Sequence, residues 1–117
     1  MADTNARVQE LVDEATFHFT MGEHPEALQL LGDALALDAK SLAAWHAKAE
    51  VHFDARQLDD ALAAGEAARE LADDDVHVHT TLSRIWMERG DKAQAEHHGA
   101  RARMLGWKAE LAEPPES

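Results

Sequence analysis

The chain contains no cysteine and no tyrosine, and it has only 6 glycines and 3 prolines among 117 residues. Without cysteine, disulfide bonds, thiolate chemistry and cysteine-ligated zinc are excluded. Sandwiches and barrels need many turns, which are rich in glycine and proline, so the composition disfavours these folds. The apolar stretches are too short to span a bilayer.

Positive charge is also scarce, because 11 Lys and Arg residues stand against 23 Asp and Glu residues, for a net charge of −12. A surface this acidic repels phosphate backbones and anionic lipid headgroups, which argues against nucleic acid and membranes as partners. Residues 1–7 are polar and no apolar run follows them. We therefore expect no signal peptide and a cytoplasmic location.

A comparison of the sequence with itself, shifted by 34 residues, aligns three copies of one pattern. We call a set of positions 34 residues apart a slot. Three slots keep one residue type in all copies: Ala27, Ala61 and Ala95; Ala34, Ala68 and Ala102; Leu37, Leu71 and Leu105. Since chance does not easily match three slots across three copies, the chain is predicted to be a repeat protein.

Each copy is predicted to form two helices joined by a short turn. The predicted helices are 5–21 and 25–37, 42–55 and 59–71, and 76–89 and 92–105. Gly22 and Gly90 end first helices, and Pro25 suits the first turn of a helix, where its missing N–H is not needed. Ser41 and Asp75 are predicted N-caps. Short turns imply antiparallel neighbours, and the apolar face of a single hairpin needs a stacked neighbour to be buried.

The C-terminal segment follows a different pattern. Gly106 is predicted to end the last helix, and Trp107 to fold back on the preceding turn. Residues 107–112 are predicted to form a short capping helix over the open end of the third copy. Pro114 and Pro115 end any helix, so residues 110–117 are expected to be a frayed tail.

These residues resemble the tetratricopeptide repeat. The second copy matches the aromatic, small and aliphatic slots of that family with Trp45, Ala49, Leu58, Ala61, Ala68 and Leu71. The third copy matches with Leu82, Ser83, Trp86, Gly90, Ala95 and Ala102. The sequence departs from the family pattern where Gly65 and Gly99 replace a large residue, and where Glu14 and Lys48 replace a leucine.

The resemblance implies an all-α fold, a right-handed α-solenoid of three antiparallel helix-turn-helix repeats with a short C-terminal cap. The repeats would span approximately residues 8–41, 42–75 and 76–109 of a single domain. It further implies a non-catalytic interaction module, without a cofactor, that binds an extended peptide or a partner helix in a concave groove lined by the first helices. The sequence agrees, since it has no H-E-x-x-H motif, no phosphate-binding loop and no nucleophile constellation.

Mapped slot by slot, the resemblance places ten residues in the groove. They are Val12, Thr16, Phe19, His46, Glu50, Phe53, His77, Thr80, Arg84 and Met87, and Thr20, Asp54, Thr81 and Glu88 map to the same face. Phe19, Phe53 and Met87 would form an apolar line, although apolar residues at helical spacing are also typical of a core. The groove is expected to be mildly acidic, which predicts a protein or peptide partner with apolar anchors and some basic character.

Two alternatives stay open at this point. His46 and Glu50 share a helix face, and His77 could join them in a histidine-based metal site, although they also fit ordinary polar groups. The other alternative is self-assembly, because short repeat arrays have open ends. Trp107 as a cap favours a monomer, whereas the apolar residues of the first helix favour a homo-oligomer; these are Val8, Leu11, Val12 and Phe19. His97 and His98 are expected to be exposed.

Overall fold

The computed structural model describes residues 3–112, and these residues form six α-helices. The helices are α1 (Thr4–Thr20), α2 (His24–Leu37), α3 (Leu42–Asp54), α4 (Leu58–Leu71), α5 (Val76–Glu88) and α6 (Lys92–Ala112). Each helix packs on the next, in three hairpins stacked side by side. The described residues are thus the predicted α-solenoid, and none of these helices is long and apolar enough to cross a membrane.

The turn inside each hairpin has the same geometry. Gly22, Arg56 and Gly90 hold one slot, and all three have a positive φ, of 77°, 65° and 86°. Each donates its N–H to the carbonyl three residues earlier at 3.0 Å, which closes the first helix of its hairpin. Arg56 adopts this left-handed conformation without being glycine, at a cost of about 1 kcal/mol. The repeat therefore dictates the turn even where glycine is missing.

The helices that open the second and third hairpins start at the predicted caps. The Ala44 N–H donates to the Ser41 hydroxyl at 3.2 Å, and the Val78 N–H donates to the Asp75 carboxylate at 3.0 Å. These bonds satisfy N–H groups that the first turn of a helix leaves free. The bounds of α1 to α5 agree with the predicted bounds to within about two residues, the usual uncertainty of helix ends.

The hairpins pack through small residues inside and large residues between them. The alanine slots are buried in all three copies, so the two helices of a hairpin approach closely. Between the second and third hairpins, Leu82 and Ile85 of α5 lie over the bare backbone of Gly65 in α4. Between the first and second, the slot of Gly65 holds the fully buried Leu31 instead. The departure from the family pattern at Gly65 is therefore matched by a large residue across the junction.

The predicted C-terminal cap is wrong. Helix α6 continues through Gly106 and Trp107 to Ala112, and Gly106 is not among the residues with positive φ. Glycine ends a helix only where the chain turns, and no later part of the described chain requires a turn here. Trp107 is 68 % exposed and does not fold back over the third hairpin. Residues 110–112 are helical, and the rest of the predicted tail, 113–117, lies outside the described residues.

Three of the four apolar residues of α1 that the sequence analysis linked to a homo-oligomer are not exposed. Val8, Leu11 and Val12 are buried against the rest of the first core cluster. The apolar residues that α1 exposes are instead Phe17, at 60 %, and Met21, at 63 %. Phe17 follows Val8 by about two and a half turns of 3.6 residues each, so Phe17 and the adjacent Met21 lie on the opposite side of the helix from Val8.

The prediction that His98 is exposed is also wrong, whereas His97 is exposed as expected. His98 in α6 is 6 % exposed and stacks on His79 of α5, which is 2 % exposed. His79 donates its Nε2–H to the Asp73 carbonyl oxygen at 2.6 Å, so its Nδ1 accepts the Nδ1–H of His98 at 3.0 Å. The Asp73 carbonyl and the two rings therefore form one hydrogen-bonded chain between α5 and α6.

Burial, together with the neighbouring His79 and His97, lowers the pKa of His98; Arg69 of α4 acts in the same direction and Glu66 opposes it. The unfolded chain then binds a proton at His98 more readily than the folded chain. The stability that this provides is complete above the ordinary histidine pKa of about 6.5 and is lost as the pH falls below that value.

We accordingly expect the melting temperature to fall by about 2–5 °C more in the wild type than in a His98→Gln variant when the pH is lowered from 7.5 to about 5. Circular dichroism melts at both pH values measure this difference. The matched control is His77→Gln, at an exposed histidine that is not among the groups that shift the pKa of His98, and it should keep the pH dependence of the wild type. An equal loss of pH dependence in both variants would contradict the assignment.

Candidate functional site

The first helices of the three hairpins, α1, α3 and α5, lie side by side. They carry all ten residues that the sequence analysis places in a groove. We call this surface the groove face. The second helices α2, α4 and α6 lie behind it, so their packing fixes the spacing of the three helices that line the face.

A pocket of about 310 Å³ opens between α1 and α3 on the groove face. Five of the ten predicted residues line it: Val12, Thr16, Phe19, His46 and Glu50. The rest of the lining is apolar and comes from Ala15, Leu31, Ala43, Ala47 and Val51. Val12 is buried, whereas Phe19 is half-buried. The pocket is thus an apolar cleft whose polar lining residues are Thr16 of α1 and His46 and Glu50 of α3.

A polar cluster joins α3 to α5 beside this pocket. The Thr81 hydroxyl donates to Glu50 Oε1 at 3.0 Å, and His46 Nε2 lies 2.9 Å from the same hydroxyl. Since that hydroxyl gives its hydrogen to Glu50, it accepts the Nε2–H of His46. Arg84 Nη1 lies 3.6 Å from Glu50 Oε1. Glu50 therefore has a hydroxyl, an imidazole and a guanidinium around one carboxylate.

Further along the groove face, the guanidinium of Arg84 lies over the ring of Phe53, with 4.7 Å from Cζ to the ring centroid. This cation–π contact holds Arg84 against α3 while half of its side chain stays exposed. Phe53 is half-buried beneath it. The pair offers a flat surface, apolar in the ring and positively charged at the edge, to a molecule lying in the groove.

The acidic residues around this surface are paired. Asp54 Oδ2 lies 2.8 Å from His24 Nε2, and Glu88 Oε2 lies 3.7 Å from Arg56 Nη1. Because these pairs are largely exposed, each contributes little to stability. Glu50, Asp54 and Glu88 still outnumber Arg84 on the groove face.

The structure does not join all ten predicted residues. Thr80 is exposed and donates its hydroxyl to the Val76 carbonyl of its own helix. Met87 is 56 % exposed and outside the pocket, so the apolar line of Phe19, Phe53 and Met87 has two half-buried members and one that projects into solvent. His77 is exposed, and its ring centroid lies 6.5 Å from that of His46.

The histidines do not form a metal site in the part of the chain that the structure describes. Among residues 3–112, no group of three His, Cys, Asp or Glu side chains is arranged to hold a metal ion. His46 uses its Nε2 on Thr81, and His77 approaches it with a tilted ring rather than a shared ligand position. The geometry gives no support to the metal alternative.

The slot mapping places Thr81 on the groove face, but it does not show that Thr81 is 4 % exposed and links Glu50 to His46. A threonine on a helix carries no periodic signal that separates a buried hydroxyl from a surface one. Ala43 was not predicted to line the groove, and only the packing of α1 against α3 shows that Ala43 and Ala47 leave an open space.

Comparison with known proteins bears on the nature of this groove. The sequence profile described as "Tetratricopeptide repeat" matches residues 18–85, more than half of the chain. The chain belongs to the tetratricopeptide repeat family. Members of this family are generally non-catalytic scaffolds and protein–protein interaction modules, and the groove face is built from the helices that line the groove in such repeats.

Two solved structures with the tetratricopeptide repeat fold are similar to this chain. One is titled "Crystal structure of MamA protein", with a TM-score of 0.81, 16 % identity, and coverage of 94 % of this chain and 60 % of that chain. The other, titled "MamA MSR-1 C2", has a TM-score of 0.78, 15 % identity, and coverage of 92 % and 62 %. This chain thus spans less than two thirds of either, and the likeness shows the fold. No curated protein matches the sequence significantly.

Proposed function

We propose that this protein binds an extended peptide or a partner helix of another protein on its groove face, without catalysis. The observation that carries the proposal is the open apolar pocket between α1 and α3. Ligand sites are commonly apolar clefts with a few polar groups that fix orientation, and this pocket has that composition. It is large enough for one bulky apolar side chain of a ligand.

The pocket supplies the anchor of the proposed interaction. Phe19, Ala43 and Ala47 are the apolar lining residues that keep accessible surface, and they offer it to an incoming leucine or aromatic side chain. Burying such a side chain contributes about 1.5–3 kcal/mol. Interfaces obtain most of their binding energy from a few anchors of this kind. The ligand is therefore proposed to carry an apolar anchor residue.

The charges supply the orientation. Glu50 lines the pocket, and Asp54 at the end of α3 and Glu88 at the end of α5 are exposed. Together with the net charge of −12, these carboxylates attract basic segments and repel acidic ones. The Phe53–Arg84 pair offers a stacking surface for an apolar or aromatic residue beyond the anchor. The proposed ligand has basic residues flanking its apolar anchors.

Some members of this family clamp the terminal carboxylate of a peptide with paired Lys and Asn residues. The corresponding slots here hold Val12, Thr16, Ala47, His77 and Thr81. None of these slots holds a Lys or an Asn, so the ligand is proposed to be an internal segment rather than a free C-terminus.

The test is a pull-down from native lysate with the wild type and a Phe53→Ala plus Arg84→Ala variant, followed by titration of the recovered partner. The variant should bind at least about tenfold more weakly, since it removes the stacking surface and a charge in contact with it. The matched control is Leu37→Ala plus Lys92→Ala, which removes an exposed apolar residue and an exposed cation outside the groove face. Equal capture by all three proteins would refute the groove assignment.

A further inference from the structure

The outer face of α1 carries a residue that the other two hairpins bury. Phe17 shares its slot with Val51 and Ile85. Val51 is 2 % exposed and Ile85 is 0 % exposed, because each packs against the second helix of the preceding hairpin. Phe17 has no preceding hairpin among the described residues and is 60 % exposed. It is thus an apolar residue in a slot that the repeat uses for packing between hairpins.

The outer face of α6 has the matching feature at the other end of the solenoid. Gly99 shares its slot with Gly65, over which Leu82 and Ile85 of the next hairpin lie. At Gly99, the nearest side chains are Ser83 of the same hairpin and the flexible end of Arg103. No further hairpin of the described chain covers this position, so the site that Leu82 and Ile85 cover at Gly65 is covered at Gly99 only by Ser83 and the end of Arg103.

We propose that α1 of one copy of this protein packs on α6 of a second copy, head to tail, in the arrangement that α5 adopts on α4 within one copy. Phe17 of one copy then lies over Gly99 of the other. The occupant is assigned from the repeat itself, because each open end carries the residues that complete the other end. The following contacts are read from the slots of the α4–α5 junction.

At the first pair of slots, the α4–α5 junction has a polar contact and the proposed junction has an apolar one. Arg89 of α5 is hydrogen-bonded to Asp59 of α4. At the proposed junction, Met21 holds the slot of Arg89, and Ala93 holds the slot of Asp59. Met21 is 63 % exposed in the isolated chain. Both members change from charged to apolar together, so the pair stays complementary.

At the next slots, the α4–α5 junction has apolar contacts, and the proposed junction has residues of opposite charge. Val78 and Leu82 of α5 pack against Ala68 of α4, which Arg69 follows. At the proposed junction, Glu10 and Glu14 hold the slots of Val78 and Leu82, and Arg103 holds the slot of Arg69.

The same exchange occurs one turn away. Leu62 and Trp86 pack on one cluster at the internal junction. Their slots at the proposed junction hold Glu96 and His18. Carboxylates thus meet a guanidinium or an imidazole on the facing helix, which favours this register over others.

The lengths of the two terminal helices agree with this packing. Helix α1 begins at Thr4, about one turn before the slot where α3 and α5 begin, and α6 continues to Ala112, about two turns beyond the slot where α2 and α4 end. At the junction of α4 and α5 inside one copy, the turn that links the two helices occupies the space beyond their ends. Between two copies there is no such turn, so both helices extend past each other, and Arg7 is brought to the side of Glu110 and the exposed Trp107.

The junction joins two different surfaces, so each added copy presents the same open ends and association does not close after two copies. The net charge of −12 on each copy opposes association at long range, and salt reduces this repulsion. Trp107 lies in solvent and does not cover the open end of the third hairpin, so it does not favour a monomer.

Sedimentation velocity or light scattering of the full chain, from about 1 µM to about 1 mM at physiological salt, tests the proposal. The average mass of the wild type should rise with concentration. Phe17→Glu, which blocks the head, and Arg103→Glu, which blocks the tail, should each weaken association at least about tenfold. Both positions are exposed, and unchanged circular dichroism melts show that the variants fold.

A mixture of the two blocked variants tests the head-to-tail geometry itself. The Phe17→Glu chain keeps an intact tail and the Arg103→Glu chain keeps an intact head, so together they should form a dimer that grows no further. Restoration of association by Glu14→Arg in an Arg103→Glu chain would support the same contact.

Three results would overturn the proposal. The first is a wild type that stays monomeric up to about 1 mM. The second is a mixture of the blocked variants that does not associate. The third is association that survives Phe17→Glu but is lost in the Phe53→Ala plus Arg84→Ala variant, because the contact would then lie on the groove face.

Discussion

Replacing Leu82 with Ala is expected to lower the free energy of unfolding by about 2–5 kcal/mol, the largest effect of a single side chain in this protein. Leu82 is fully buried between α4 and α5, and a methyl group placed on Gly65 would lie 2.8 Å from its Cδ2. Its side chain therefore fills the space that the glycine leaves. Truncation opens a cavity there, because Gly65 has no side chain that could move into it.

The reverse substitution tests the same junction. Gly65→Leu is expected to lower the free energy of unfolding by about 1–3 kcal/mol, because the new side chain overpacks against Leu82. This cost remains even though replacing a glycine inside a helix stabilises the helix by up to about 1 kcal/mol. The first junction shows the opposite distribution of volume, with Leu31 buried in the slot of Gly65 and the half-buried Lys48 in the slot of Leu82. Combining Gly65→Leu with Leu82→Ala moves volume across the junction in that direction.

We expect the double variant to be more stable than the sum of the two single effects predicts, by at least about 1 kcal/mol. Urea unfolding of the four proteins of this cycle measures the coupling. Leu71→Ala, at a leucine of α4 that is 40 % exposed, is the control and should cost less than about 1 kcal/mol. Additive effects within about 0.3 kcal/mol would show that Gly65 and Leu82 do not share one space.

The second large effect is expected for His79→Ala, at about 2–4 kcal/mol. The imidazole of His79 is 2 % exposed and is the middle of the chain from His98 to the Asp73 carbonyl. Its removal leaves a cavity and takes away the acceptor of the buried His98 Nδ1–H. An unsatisfied buried donor costs about 1–3 kcal/mol in addition to the lost packing.

Urea unfolding compares His79→Ala with His77→Ala, which truncates an exposed histidine on the same helix and should change stability by less than about 0.5 kcal/mol. His79→Ala should also weaken the pH dependence that His98 gives the wild type, because burial still lowers the pKa of His98 but the contribution of the neighbouring His79 is gone. Similar costs for the two substitutions would mean that the His79–His98 pair does not hold α5 to α6.

Much of the architecture could be predicted because its causes are local. Gly22 and Gly90 supply the left-handed residue of a hairpin turn, and Ser41 and Asp75 supply capping oxygens at the start of a helix. Each of these effects depends on a few neighbouring residues, so it can be read without the rest of the chain. The alanine slots could be read because their spacing repeats three times.

Gly106 shows where local reasoning fails. Its sequence context is like that of the glycines that end helices, yet it stays helical inside α6. Whether a glycine ends a helix depends on where the following chain packs, and nothing in residues 107–112 packs back on the third hairpin. The predicted exposure of His98 was wrong for a related reason. Its burial depends on His79, which lies 19 residues earlier and on another helix.

The candidate site was likewise predictable from the sequence only in part. The slots identified the three helices of the groove face and five residues that line the pocket between α1 and α3. They did not identify Thr81 as the link between Glu50 and His46, since a hydroxyl is buried or exposed according to the helix that faces it.

The sequence by itself therefore determined the helices, the hairpin turns, the period of 34 residues and the family, because capping, left-handed turns and periodic small residues act over short distances. The tertiary structure alone decided which volumes fill each junction, which polar groups meet, and which apolar residues at the two ends are left exposed. Those properties depend on pairs of residues from different helices, and the packing of one helix against another is what brings them together.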